Sequence, residues 1–145
     1  MKKYVMMVGF VCLSYFGAFA QVWMTNLEQA ENKAASEQKK VLLVFSGSDW
    51  CIPCMKLERF ILESDDFKTF SNDHYILVRA DFPKQKKHQL TPEQEGYNEQ
   101  LAAKYNPDGF FPLVVLLTAK GDVLGTTGFK NVSPADYIHE LVTLE

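Results

Sequence analysis

Cys51 and Cys54 stand three residues apart in the run Trp50-Cys51-Ile52-Pro53-Cys54. Two thiols at that spacing can cycle between dithiol and disulfide if one ionises readily and the other can reach it. A helix start meets the first condition, because its unpaired N–H groups and the positive end of its dipole favour a thiolate. A shared helix meets the second, since residues three apart are neighbours at about 5–6 Å. Cys51 is therefore the expected nucleophile towards a disulfide, and Cys54 the expected resolving residue. Pro53 suits the first helical turn, where its missing N–H costs little and its fixed φ helps hold the two sulfurs. Neither Ile52 nor Pro53 can offer the Cys51 thiolate a charge or a strong hydrogen bond. The reduced form is then less stabilised, which tilts the pair towards being a reductant.

Two blander explanations compete with redox chemistry. A passive staple across so short a loop removes little chain entropy, roughly 2 kcal/mol against about 3 for a fifteen-residue loop. A structural zinc site needs four ligands, and His74, His88 and His139 are scattered without ligand spacing. No metal and no cofactor beyond a Cys51–Cys54 disulfide is expected.

The elements around the pair alternate between helix and strand. Thr25, with Glu28 three residues on, reads as the cap of a first helix ending near Lys39, with Leu27, Ala30 and Ala34 on one face. Val41 to Phe45 is a continuous apolar run that suits a strand buried on both faces. After Ser46-Gly47-Ser48-Asp49 the motif helix begins near Cys51 and is expected to carry Leu57, Phe60 and Ile61 into the core, with a short turn capped by Ser64 beyond it. Tyr75 to Phe82 is the next strand. Thr91, Pro92 and Gln94 open a further capped helix with Tyr97, Leu101 and Tyr105 on one face, stopped by Asn106-Pro107-Asp108-Gly109. Leu113 to Leu117 is a third buried strand, and Lys120-Gly121-Asp122 turns it into an edge strand near Val123 to Gly128. Ser133-Pro134 opens a last helix presenting Ile138, Leu141 and Val142. The order implies an α/β fold, a mixed sheet of four or five strands with helices on both faces.

The first twenty residues read as a leader. Lys2 and Lys3 precede a mostly apolar stretch from Val5 to Phe16, and Ala18-Phe19-Ala20 supplies a small-x-small cleavage pattern before Gln21. A retained anchor fits less well, because the stretch is shorter than the roughly 20 residues of a spanning helix. Residues 1–20 are thus expected to be a signal peptide and 21–145 one domain, periplasmic or secreted after cleavage near Ala20. Cleavage removes Cys12 and leaves Cys51 and Cys54 as the remaining cysteines. The chain carries 15 Lys and Arg against 18 Asp and Glu, and losing Lys2 and Lys3 makes this 13 against 18, net −5. That balance does not attract nucleic acid. The run Lys84 to His88 is a possible docking patch, although such runs are more often solvated loops.

Taken together, the chain resembles the exported bacterial branch of the thioredoxin superfamily. The resemblance rests on Trp-Cys-x-Pro-Cys after the first buried strand, Gly109-Phe110-Phe111-Pro112 before the third, the Gly121-Asp122 hairpin and the closing helix. Phe45 to Cys51 and Asp81-Phe82-Pro83 are similar to a subgroup of small secreted thioredoxin-like proteins. The resemblance implies a thioredoxin fold and a monomer that reduces protein disulfides, fed by a membrane thiol electron donor. A disulfide oxidase or isomerase, or a non-catalytic binding adaptor, are the alternatives. It also implies a cis Pro112 facing the pair, with the Phe111 backbone receiving substrate as an added strand. Trp50 either shields the disulfide and offers a docking surface or simply fills its loop. Classical thioredoxins bury an aspartate six residues before the first motif cysteine to move the resolving thiol's proton, and here that position is Phe45. Glu58 or Asp49 could substitute, though each reads better as a solvated surface carboxylate. Leu113 stands where the family has threonine after the proline.

Overall fold

The computed structural model describes residues 20–145. The leader expected at 1–20, with its Cys12, lies outside the described residues apart from Ala20. In chain order the elements are β1 (Trp23–Met24), α1 (Leu27–Glu37), β2 (Lys40–Ser46), α2 (Ile52–Leu57), α3 (Asp65–His74), β3 (Tyr75–Asp81), α4 (Pro92–Tyr105), β4 (Leu113–Leu117), β5 (Val123–Thr127) and α5 (Pro134–Thr143). The sheet runs β1-β3-β2-β4-β5. β1, β3 and β2 are mutually parallel, and β4 and β5 join antiparallel. The chain therefore has the thioredoxin fold.

β2 lies at the centre of the sheet, and Val41 to Phe45 are at most 2% exposed. Alternation along it feeds two cores. Val41, Leu43 and Phe45 pack with Leu27, Ala30 and Ala34 of α1 and Leu101 and Tyr105 of α4. Leu42 and Val44 pack on the other face with Leu57, Phe67, Tyr137 and Leu141. This double burial explains why the strand reads as an unbroken apolar run.

Local chemistry moved several expected boundaries. Asn26, not Thr25, caps α1, its side chain accepting the Gln29 N–H, and Gln38 in a left-handed conformation ends the helix at Glu37. α2 does not continue as a regular helix: Glu58–Leu62 form a wider π turn, closed by Glu63 N–H donating to Glu58 O at 2.9 Å. The extra residue buries Ile61 and Leu62 and turns Phe60 out to 55% exposure, contrary to the expected inward Phe60. Ser64 caps a ten-residue helix rather than a short turn. In α5, Leu141 is buried as expected, Tyr137 also fills the core, and Val142, expected inward, is exposed. Thr91 caps α4 as expected, but the Gln94 side chain donates to Thr25 O and Asn98 Oδ1. β1 carries too few residues for a periodic signal and is held by its register on β3, Trp23 against Leu77.

Candidate functional site

The carboxyl end of β2 delivers Cys51 to the start of α2. Trp50 N–H and Cys51 N–H both donate to Gly47 O, at 3.2 and 2.9 Å, closing a tight turn. Cys51 is the N-cap of α2 in extended conformation, its Sγ accepting the Cys54 N–H at 3.3 Å, and Pro53 sits in the first turn. Cys51 and Cys54 are joined as a disulfide, their Cα atoms 5.2 Å apart. The two sulfurs thus share one helical turn, as expected. Cys51 is 5% exposed and Cys54 3%, while neighbouring Ile52 is 65% exposed. Gly47 N–H also reaches Cys54 Sγ, at 3.5 Å.

Trp50 is fixed rather than free. Its Nε1–H donates to Phe82 O at 2.7 Å, its ring meets Phe111 edge-on, and the Lys84 ammonium lies over its face, 3.9 Å from the centroid. Phe111 also meets Phe82, centroids 5.4 Å apart. The Phe111–Pro112 peptide is cis. The loop before it is braced by Asn106, whose side chain donates to Phe110 O and accepts from Phe110 N–H, at 2.8 and 2.9 Å. Ile52 and Met55, each next in sequence to a motif cysteine, are exposed apolar side chains at the start of α2, and Phe110 is exposed in the loop before Pro112.

Two aspartates hold the segment before Cys51. Asp81, at the end of β3, accepts from Ser48 N–H and Oγ. Asp49 is not the solvated carboxylate expected. Its oxygens accept Lys84 N–H and Gln85 N–H, both at 2.9 Å, and contact His88 Nδ1 at 3.0 Å, which holds its carboxyl below the usual range. Glu58 pairs with Arg79, whose guanidinium stacks over Trp23. Both alternative proton acceptors are therefore engaged, and Phe45, at the family's acidic position, is fully buried carbon. Among the described residues no cluster of His, Cys, Asp and Glu could hold a metal ion. Sequence reasoning missed the Asp49 and Asp81 clamps and the roles of Gly47 and Lys84. For Gly47, Asp49 and Asp81 the one available signal was their placement in the two segments that carried the subgroup resemblance, and for Lys84 it was the basic run Lys84 to His88.

The pattern of a family described as thioredoxin-like matches residues 22–119. The chain belongs to that family. Among curated relatives, this thioredoxin-like chain is 38% identical over 119 residues to the disulfide bond reductase DsbH of Chlamydia pneumoniae, covering 82% of this chain and 69% of the relative. It is 29% identical over 100 residues to the thioredoxin-related protein DsbJ of Chlamydia pneumoniae, covering 67% of this chain but 27% of that protein. Among solved structures, a DsbH oxidoreductase matches at a TM-score of 0.78 and 32% identity over 85% of this chain and 83% of the other. A disulphide isomerase from Xylella fastidiosa Temecula1 matches at 0.61 and 20% identity, covering 80% and 88%, which speaks to the fold alone. The thioredoxin-like chain is thus a homologue of DsbH, named a disulfide bond reductase, and of DsbJ, named a thioredoxin-related protein, and itself carries a disulfide-bonded Cys-x-x-Cys pair.

Proposed function

We propose that the protein is an exported thiol-disulfide oxidoreductase that reduces protein disulfides. The observation that carries this reading is the Cys51–Cys54 disulfide in the first turn of α2, flanked in sequence by the exposed apolar side chains of Ile52 and Met55, on which a substrate chain can dock. In the reduced state the Cys51 thiolate attacks one sulfur of the substrate disulfide. That S–S bond breaks, a mixed disulfide forms, and the released substrate sulfur takes a proton. Cys54, deprotonated, then attacks Cys51 Sγ and expels the second substrate sulfur, which is protonated in turn. Two electrons pass to the substrate and the Cys51–Cys54 disulfide is restored. The backbone at Phe111 is the proposed docking strand, with Trp50, Ile52, Pro53 and Pro112 framing the exchange.

The reducing direction is supported by the Ile52-Pro53 pair, which gives the thiolate no charge or strong donor, and by the name of the DsbH relative. Export rests on the 1–20 leader pattern, with 21–145 as the mature domain. A membrane thiol donor would re-reduce the pair, because no soluble reductant maintains an exported compartment. With dithiothreitol as donor the domain should reduce a model protein disulfide. Cys51→Ser should abolish this, and Cys54→Ser should accumulate the mixed disulfide. Equilibration against glutathione buffers decides direction. A potential near about −270 mV supports the reductant, and one near about −120 mV overturns it in favour of an oxidase. Amino-terminal sequencing of the exported protein should begin at Gln21.

A further inference from the structure

Lys84, Lys86 and Lys87 place three cations within four residues of an otherwise acidic chain, and none forms an ion pair among the described residues. Residues 84–88 are all exposed, yet the segment is not a loose solvated loop. Asp49 accepts the backbone N–H groups of Lys84 and Gln85, its own backbone oxygen accepts the Gln85 side-chain amide at 3.2 Å, and His88 closes the ring of contacts. Lys86–His88 form a single 3₁₀ turn beyond it. The Asp49 carboxylate is thereby spent on fixing the segment, and none of the three lysine ammoniums is paired with an acid among the described residues. One of them, Lys84, lies on the ring of Trp50, the residue before Cys51.

From this juxtaposition we infer that Lys84–His88 is a cationic docking element, selecting protein substrates whose target cysteine is flanked by an acidic segment. The inference rests on the proposed disulfide-reducing function. Lys86 and Lys87 follow Lys84 by two and three residues, at most about 10 Å of chain, so the matching acidic residues lie within about three to five residues of the target cysteine. Their attraction acts at the docking step. Cations held at fixed positions beside a reactive centre raise the encounter rate of an anionic partner by about tenfold or more, an effect that salt removes.

The test compares two synthetic peptides, each closed by one disulfide, with three Glu or three Gln beside the attacked cysteine, and dithiothreitol as donor. At an ionic strength of about 20 mM the acidic peptide should show about tenfold higher kcat/KM, and at about 500 mM the ratio should fall to near one. Lys86→Gln with Lys87→Gln should bring the low-salt ratio to near one. Lys120→Glu makes the same change in net charge at the β4–β5 hairpin, at the opposite end of β4 from Pro112, and should keep the ratio. Equal rates for the two peptides at low salt overturn the inference and return the segment to a solvated loop. A high ratio that survives both the double substitution and the further change Lys84→Gln also overturns it, since the attraction then comes from elsewhere. Failure to reduce either peptide overturns the proposed function beneath it.

Discussion

The Trp50 indole meets the Phe111 ring edge-on, centroids 5.6 Å apart and planes at 62°, so that the residue before Cys51 touches the residue before Pro112. Two segments about sixty residues apart in sequence are joined there, and Phe82 completes the contact by accepting the indole N–H and packing on Phe111. The site is assembled from the ends of β2 and β3 and the entry to β4, held by the Asp49, Asp81 and Asn106 side chains together with these aromatic contacts.

This contact predicts an energetic coupling between the two aromatics. In a double-mutant cycle of Trp50→Ala and Phe111→Ala, urea unfolding should give an interaction energy of about 0.5–1.5 kcal/mol, the range for edge-to-face pairs. A coupling indistinguishable from zero would mean that the rings are merely adjacent.

Gly47 sets the distance at which Trp50 can lie. A Cβ added there would sit 2.6 Å from Trp50 Nε1, too close for any real contact, so the indole must leave Phe82 O. Gly47→Ala should lower stability by about 1–3 kcal/mol, as overpacking does, and should shift Trp50 fluorescence towards that of a solvated indole. Unchanged emission would show that the turn opens instead of the ring moving.

Asp49 gives the docking segment an acid limit. The Lys84 and Gln85 N–H groups, opposed by partial desolvation and helped by His88, lower its pKa from the ordinary 3.8. A carboxyl whose folded pKa lies below its unfolded value contributes fully above the unfolded value and loses that contribution as pH falls through the folded one. Amide exchange at Lys84 and Gln85, corrected for intrinsic rates, should therefore accelerate below about pH 4 in the wild type. In Asp49→Asn it should already be fast at pH 6. Equal protection in both proteins at pH 6 would show that the carboxylate is not what fixes the segment.

How far the sequence reached depended on whether a feature was local or assembled. Val41 to Phe45, the Ser64, Thr91 and Ser133 caps and the cysteine spacing are local, and each carries its own physical signature. Phe60 was misplaced because a π turn inserts one residue into the helical period, and no periodicity argument anticipates it. Asp49 looked like a surface carboxylate because its donors come from residues 84, 85 and 88, which only the β2–β3 pairing brings alongside. Tyr137 was passed over for Val142. Its hydroxyl donates to Gly128 O at 2.8 Å, which satisfies the one polar atom that would otherwise forbid burial.

The direction of electron flow has a consequence for stability that can be measured without any substrate. Closing a four-residue loop restricts the unfolded chain by roughly 2 kcal/mol. Reduction forfeits that, and the folded dithiol regains part of it only if the Cys51 thiolate is stabilised beyond its unfolded state. Ile52 and Pro53 supply nothing towards this, leaving the backbone N–H groups at the start of α2. The oxidised domain should therefore be more stable than the reduced one, by about 1–2 kcal/mol, in urea unfolding with and without dithiothreitol. At about 30 mV per 1.4 kcal/mol, folding then makes the pair about 20–45 mV more reducing than the same dithiol in an unfolded chain. If the reduced domain proves the more stable, the thiolate is held by something other than the α2 start, and the pair draws electrons from its partners instead of donating them.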